Sequence, residues 1–435
     1  MREHSSQSTL TLDAEESQEH GVRAPFFALL AANAVSLAGN QLSLIAIPWF
    51  VLQTTGSAVK TGLVGAAAAI AAVCAGLVGG ALVDRIGAKR CSVLTDCASG
   101  IAVALIPLLY ATVGLQFWML IGLVFIRALL NTPGGAARQS LLPDVIGLAR
   151  LRLERGNAAY QGVQNFSQFA GPALAGLLIV GLGTNNVLWL DAASFVVSAV
   201  VILAAVPGRP DAARAARGQR PPSSLRDDFR QGFTFIVRSR LIAALAITAT
   251  LANALTAALF SVILPVYARA RFGSAIDLGA ILAGWGAGAV VGSFAYGWFG
   301  WRLPRRAVLC VGALLTGLPL WIVLWQPTLG LVGLVAALTG MGLCTGLMNP
   351  LAFTLLQEHV PAPLRGRVFG AVFALGGTAT PLAILGAGVL LDRGTATLGI
   401  LAEALGFAIL AGWLLIHPAF RHLPTPEPTA DRPGA

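Results

Sequence analysis

Hydrophobic residues in this chain come in long, nearly unbroken runs rather than in the one-sided rhythm of a half-buried helix. Twelve runs have the ~20 mainly apolar residues that a bilayer-spanning helix needs. They fall at about 26–52, 61–83, 91–113, 117–138, 157–183, 187–207, 241–268, 276–300, 307–325, 329–356, 366–391 and 397–417. In lipid only helices and closed barrels satisfy every backbone group, and these runs are too long and too uniformly apolar for barrel strands. The pattern predicts an all-α integral membrane protein of twelve transmembrane helices.

The polar interruptions set the orientation. Even-numbered connections between runs hold 20 Lys and Arg, and odd-numbered connections hold only Lys60, Arg269, Arg271 and Arg393. The excess of cations predicts that the even connections and both termini are cytoplasmic. The longest connection divides the runs into two sets of six. The organisation expected is a disordered tail (1–24), a six-helix bundle (25–207), a cytoplasmic linker (208–240), a second six-helix bundle (241–418) and another disordered tail (419–435). Within the linker, Leu225, Phe229, Phe233 and Ile236 recur at helical spacing, which predicts an amphipathic helix in the membrane interface with its Arg residues toward headgroups.

Composition strengthens this picture. Of 435 residues 56% are apolar and 11% charged, against about 25% charged in soluble domains. The net charge of +10 does not read as a nucleic-acid surface, because the cations sit in short loops at alternate ends of the runs. Cys74, Cys91, Cys97, Cys310 and Cys344 lie in or beside apolar runs without metal-ligand spacing. Neither a metal site nor a cofactor is expected. The absence of clustered His, paired carboxylates or a nucleophile constellation argues against an enzyme.

Charges of both signs crowd the turn between runs two and three, Gly80-Ala81-Leu82-Val83-Asp84-Arg85-Ile86-Gly87-Ala88-Lys89-Arg90, which has to leave the lipid. Gly87 supplies the freedom for a tight reversal. The second half holds a degenerate copy, Gly297 to Arg306, with Gly300 at the aspartate position. Gly171-Pro172 in run five parallels Thr380-Pro381 in run eleven. Two pseudo-symmetric six-helix halves predict a secondary transporter with a midplane site between them.

These motifs resemble those of the major facilitator superfamily across residues 25–420. Gly80, Leu82, Asp84, Arg85, Gly87, Lys89 and Arg90 match its helix 2–3 signature, with Ala88 in place of a common Arg. Arg127 resembles its mid-membrane Arg, with Asn131 where Gly is usual. Gly162, Gly171, Pro172 and Gly176 resemble its antiporter signature, with Ala175 replacing one Gly. Gln231-Gly232-Phe233 and Leu364 to Phe369 look like the subgroup of enterobactin-type siderophore exporters and macrolide efflux proteins. The resemblance implies the major facilitator fold in the plasma membrane and export of small organic molecules by alternating access. Protons are the implied coupling ion, the lipid bilayer the surrounding partner, and a monomer the working unit. A siderophore or secondary-metabolite exporter is the alternative within transport, and a non-transporting receptor or scaffold the remote one.

Candidate gating residues are Gly80, Asp84, Arg85, Gly87, Lys89, Arg90, Gly171 and Pro172. Candidate cavity residues are Asn33, Asn40, Arg127, Asn131, Gln164, Gln168, Asn253 and Asn349. Run one carries Asn33, Ser36, Asn40 and Ser43, and run five Gln161, Gln164, Asn165 and Gln168, each as one helical stripe. Such stripes either hydrogen-bond neighbouring helices or face a water-filled cavity. Arg127 is costly at mid-depth, so it serves function or a buried network. Asp96, Arg127 and Glu403 are the candidate proton-coupling groups. The plainer reading of Asp96 is an interfacial ion pair with Lys89 and Arg90. Asp191 reads as an interfacial residue opening run six. The spacing of Ala280, Gly284, Gly288 and Gly292 predicts close helix packing rather than a phosphate loop.

Overall fold

The computed structural model describes residues 23–151, 153–207, 225–325, 330–361, 364–421 and 423. Among them, twelve helices are long and apolar enough to cross a membrane. The first half comprises α1 (Ala24–Thr55), α2 (Ala58–Ile86), α3 (Ala88–Thr112), α4 (Phe117–Leu148), α5 (Leu153–Leu182) and α6 (Thr184–Ala205). The second comprises α7 (Arg240–Arg271), α8 (Ala275–Phe299), α9 (Arg305–Trp325), α10 (Leu331–His359), α11 (Arg367–Arg393) and α12 (Ala396–Ile416). The predicted disordered tails and the segment Gly208 to Ser224 lie outside the described residues, except for the ends nearest the bundles. Because each span reverses the chain, odd-numbered connections meet at one end of the molecule and even-numbered connections at the other. These are the odd and even ends below.

Turn chemistry fixes the boundaries. Gly87 alone separates α2 from α3; its φ of 91° is a left-handed value that a Cβ would strain, and its N–H donates to Val83 at 2.9 Å. α7 is not uniform: a π turn, Leu259–Ile263, precedes Pro265. The proline cannot donate to a carbonyl in the preceding turn, and the backbone widens there. α11 is also interrupted two residues before a proline, Pro381, by a single-residue turn at Ala379 rather than a π turn. α4 corrects the sequence-based boundary. It runs on to Leu148, through Pro133 and Pro143, so Arg138 lies inside a helix rather than in a cytoplasmic connection.

The linker helix, Leu225–Arg238, forms as its periodicity predicts, but its visible packing is against protein. Ile236 is buried with Ile242, Val368 and Ala371 of the second half. A Cβ on Gly232 would stand 2.4 Å from the Arg367 carbonyl oxygen, so the backbones touch. The side chains of Leu225 and Phe229 lie outside the described residues.

Small residues set the helix spacing. On α8, Gly284, Gly288 and Gly292 press against Val335, Thr339 and Leu343 of α10; a Cβ on Gly288 would fall 2.0 Å from the Thr339 carbonyl oxygen. In return, Gly342 and Gly346 of α10 meet the carbonyls of Trp285 and Ala289, where a Cβ would sit at 2.0 and 2.2 Å. The four-residue glycine ladder is therefore a backbone-to-backbone seam, which lipid-embedded helices use because no hydrophobic force draws them together.

The two halves meet at similar crossings. Gly176 of α5 lies against Ala275 and Gly279 of α8, and a Cβ on Gly279 would be 2.6 Å from the Pro172 carbonyl oxygen. Gly62 of α2 lies against Ile384 and Gly388 of α11, where a Cβ would sit at 3.0 and 3.2 Å. Both crossings belong to the odd end. They involve the start of α2 and α8 and the end of α5 and α11.

Gly288→Val is expected to lower stability by about 1–3 kcal/mol, the usual cost of forcing volume into a packed seam. Gly340→Val, one face away on α10 with nothing within 4 Å of its Cβ position, should stay near wild type. Thermal unfolding midpoints in detergent compare the two.

Candidate functional site

Asp191 is the eighth residue of α6, about 10 Å along the helix from its odd end. It is 0% exposed, not interfacial as its position near the start of the run predicted. Its carboxylate pairs with Arg127 of α4 at 3.3 Å. Ser43 of α1 donates a hydrogen bond to the same carboxylate oxygen. The Arg127 Nη2 group also donates to Asn40 Oδ1 at 3.0 Å, and Asn40 Nδ2 donates to Asn131 Oδ1 at 3.0 Å. Phe195, one turn beyond Asp191, lays its ring 5.8 Å from the guanidinium carbon. Three helices thus hold one cation and one anion in the apolar interior. A lone charge there costs several kcal/mol, and the pair with its hydrogen bonds offsets much of that.

Local sequence makes the approach possible. α1 passes α6 at Gly39, where a Cβ would stand 2.5 Å from Asp191 Oδ1 and 2.0 Å from Ser194 Oγ. Only glycine leaves room for the acid beside Asn40. Within the guanidinium, Nε is buried and has no hydrogen-bond partner among the described residues. One donor of this mid-bundle site is therefore left for another group.

The stripe on α1 divides. Asn40 and Ser43 join the Arg127 cluster, whereas Asn33 is buried and accepts from the Tyr160 hydroxyl of α5 at 3.2 Å. Most of this stripe ties helices of the first half together. On α5, Gln161, Asn165 and Gln168 are exposed and Gln164 is half-buried; Gln161 donates to Asn165 at 3.3 Å. In the second half Asn253 donates to the Gly376 carbonyl of α11 at 3.3 Å, and Asn349 is exposed on α10. The structure therefore gathers Asn40, Arg127 and Asn131, and keeps Asn33 and Asn253 in other contacts.

Asp96 does not pair with Lys89 or Arg90. Its carboxylate takes Arg138 of α4 at 2.8 and 3.0 Å, and accepts from Ser198 of α6 at 2.7 Å. Both charged side chains are nearly inaccessible, at 3% and 2%. The reach of α4 beyond its apolar run brings Arg138 in. Lys89 instead donates to the Leu203 carbonyl in the last turn of α6 at 2.9 Å, a favourable place for a cation. Arg90 is exposed. Gly80 lies within α2, and the Asp84 side chain lies outside the described residues. Gly171 packs on Gln41 of α1, and the Pro172 carbonyl on Gly279 of α8. Glu403 of α12 is buried, at 4% exposure, away from the Arg127 cluster.

Sequence reasoning missed the role of Asp191, although an acid eight residues into an apolar helix is a signal in itself. It missed Gly39 and Arg138 as well. A buried pair missing one member is destabilised by about 3–5 kcal/mol. Asp96→Asn should therefore lower the unfolding midpoint in detergent markedly, and Asp96→Asn with Arg138→Met should recover much of the loss.

The sequence profile of the Major Facilitator Superfamily matches residues 29–273 and 246–435. The multidrug efflux pump Tap of Mycobacterium tuberculosis (strain ATCC 25618 / H37Rv) is 32% identical over 416 residues, 94% of this chain and 98% of the relative. Macrolide efflux protein A of Streptococcus pyogenes is 22% identical over 370 residues, 85% of this chain and 89% of the relative. Among solved structures, the nucleoside transporter NupG superposes with a TM-score of 0.75 at 14% identity, covering 92% of this chain and 99% of that one. A D-xylose-proton symporter superposes with a TM-score of 0.69 at 12% identity, covering 91% and 98%. The twelve helices, the two halves and these matches show that the chain belongs to the Major Facilitator Superfamily and is a membrane transporter, not an enzyme.

Proposed function

We propose that this transporter exports amphipathic, drug-like small molecules from the cytoplasm in exchange for protons, by alternating access. The observation that carries the reading is the buried Arg127–Asp191 pair in the first half, bonded to Asn40 and Ser43. The cargo class draws on the likeness to Tap, a multidrug efflux pump, over almost the whole chain. The orientation draws on the excess of Lys and Arg in the even connections.

In this reading Asp191 is the proton carrier. A proton on its carboxylate removes the negative charge that neutralises Arg127, and the guanidinium then turns toward other acceptors. Asn40 and Asn131 are within one hydrogen-bond chain of it. Substrate and proton exclude one another because both alter the balance of this pair. The energy each ligand contributes is its differential affinity for the two end states of the carrier. The crossings of α2 with α11 and of α5 with α8 belong to the odd end, so the conformation described is read as closed toward the outside.

The test is transport into proteoliposomes carrying a pH gradient, over a panel of antibiotics and dyes. Wild-type protein should accumulate at least one of them and lose the gradient-driven part with an uncoupler. Asp191→Asn should cut gradient-driven accumulation at least about tenfold, while downhill exchange of the same substrate persists. Gradient-driven rates equal to wild type in Asp191→Asn would remove the residue from coupling. Accumulation indifferent to the uncoupler would remove the proton.

A further inference from the structure

The N-terminus of α2 is capped from the other half of the molecule. Asp392, near the end of α11, accepts the Ala58 N–H at 2.7 Å and the Val59 N–H at 3.2 Å. Ser57 donates to both of its oxygens at 3.3 Å. The Ser57 hydroxyl in turn accepts the Lys60 N–H at 3.2 Å. A helix start leaves its first N–H groups without intrahelical partners. Here the third is satisfied by the helix's own serine, and the first two by a carboxylate 334 and 333 residues away. One turn below, Gly62 and Gly388 bring the two backbones together, and a Cβ on Gly388 would stand 2.9 Å from the Ala58 carbonyl oxygen.

The sequence around this contact repeats the charged hairpin. Leu391-Asp392-Arg393 ends α11 as Val83-Asp84-Arg85 ends α2. The two helices are antiparallel, and the acid at the C-terminal end of α11, Asp392, lies beside the N-terminus of α2. An anion at a helix N-terminus meets both free N–H groups and the positive end of the helix dipole. The Asp392 contact can form only while the halves are together at the odd end.

We infer that Asp392 is a reversible electrostatic latch that holds the odd end of the transporter shut. Asp392 is exposed, so water replaces its bonds readily when the halves part. Reversibility follows from the same fact: the contact biases the equilibrium without locking it. The latch rests on the alternating access of the proposed function, but it needs no particular substrate or coupling ion, so a distance measurement tests it without transport.

The test measures conformation directly. Spin labels at Asn186 and Ser274, in a variant lacking the five cysteines, report the distance between the halves at the odd end. Asp392→Ala should raise the ratio of separated to closed populations by about two- to fivefold, the usual influence of a surface charge at a helix terminus. Raising ionic strength from ~0.05 to ~0.5 M should raise the same ratio in the wild type and leave Asp392→Ala unmoved, because exposed charges are screened. Asp392→Asn guards against a folding failure: it keeps an acceptor oxygen and the side-chain volume, its unfolding midpoint should stay near wild type, and its salt response should vanish. Identical distance distributions in wild type and Asp392→Ala at low salt, or a salt response that persists in Asp392→Asn, would overturn the latch.

Discussion

A charge inside a bilayer has to be answered by protein, and in this transporter that demand organises the first half. Arg127 and Arg138 both lie within α4 and both find acids on other helices, Asp191 of α6 and Asp96 of α3. The two pairs differ in kind. Arg138 and Asp96 are sealed, with a bidentate contact and a serine completing the carboxylate. Arg127 is 12% exposed and divides one nitrogen between Asp191 and Asn40, whereas Arg138 gives one nitrogen to both oxygens of Asp96; Nε of each is unpartnered among the described residues. The sealed pair holds helices in register, and the partly exposed pair is the one that water can reach.

The second half solves the packing problem with glycine. The seam between α8 and α10 puts backbone against backbone over more than two turns, from Gly284 to Gly292 on one side and Gly342 to Gly346 on the other. Such a seam gains dispersion contacts along its length and leaves little room for shear between α8 and α10. The crossings between halves use the same device more sparingly, at Gly176 with Gly279 and at Gly62 with Gly388. These crossings have fewer close contacts than the seam and are joined by hydrogen bonds at the rim. The proline-linked irregularities in α7 and α11 lie on the second-half helices next to these crossings, where a bend changes the approach of the halves.

Much of the fold could be read from residue order. Twelve runs became twelve spanning helices, Gly87 made the single-residue reversal, and the α8 glycine ladder became a seam. The errors had one physical source. Hydropathy marks where a helix crosses lipid, but a helix continues past the lipid if its polar residues find partners. α4 does so through Arg138, which is why hydropathy alone places that residue in a loop. The site was less legible. Arg127, Asn40 and Asn131 were identifiable as costly polar residues in apolar runs, yet an acid near a helix start looks interfacial until its depth and partner are known, and Asp191 was therefore passed over.

By itself the sequence determined the class of structure, the number of spans, the division into halves and the residues too polar to face lipid. Each follows from local free energies of transfer and from turn chemistry, which depend on neighbours in the chain. Tertiary structure decided which charge answers which, and that Asp191 rather than a closer-lying residue faces Arg127, 64 positions away. It also decided that the α2 N-terminus is capped by Asp392 across the two halves. These pairings depend on which helix faces meet. Helix rotation and depth are set by the whole set of packed surfaces, Gly39 among them, so no local pattern could specify them.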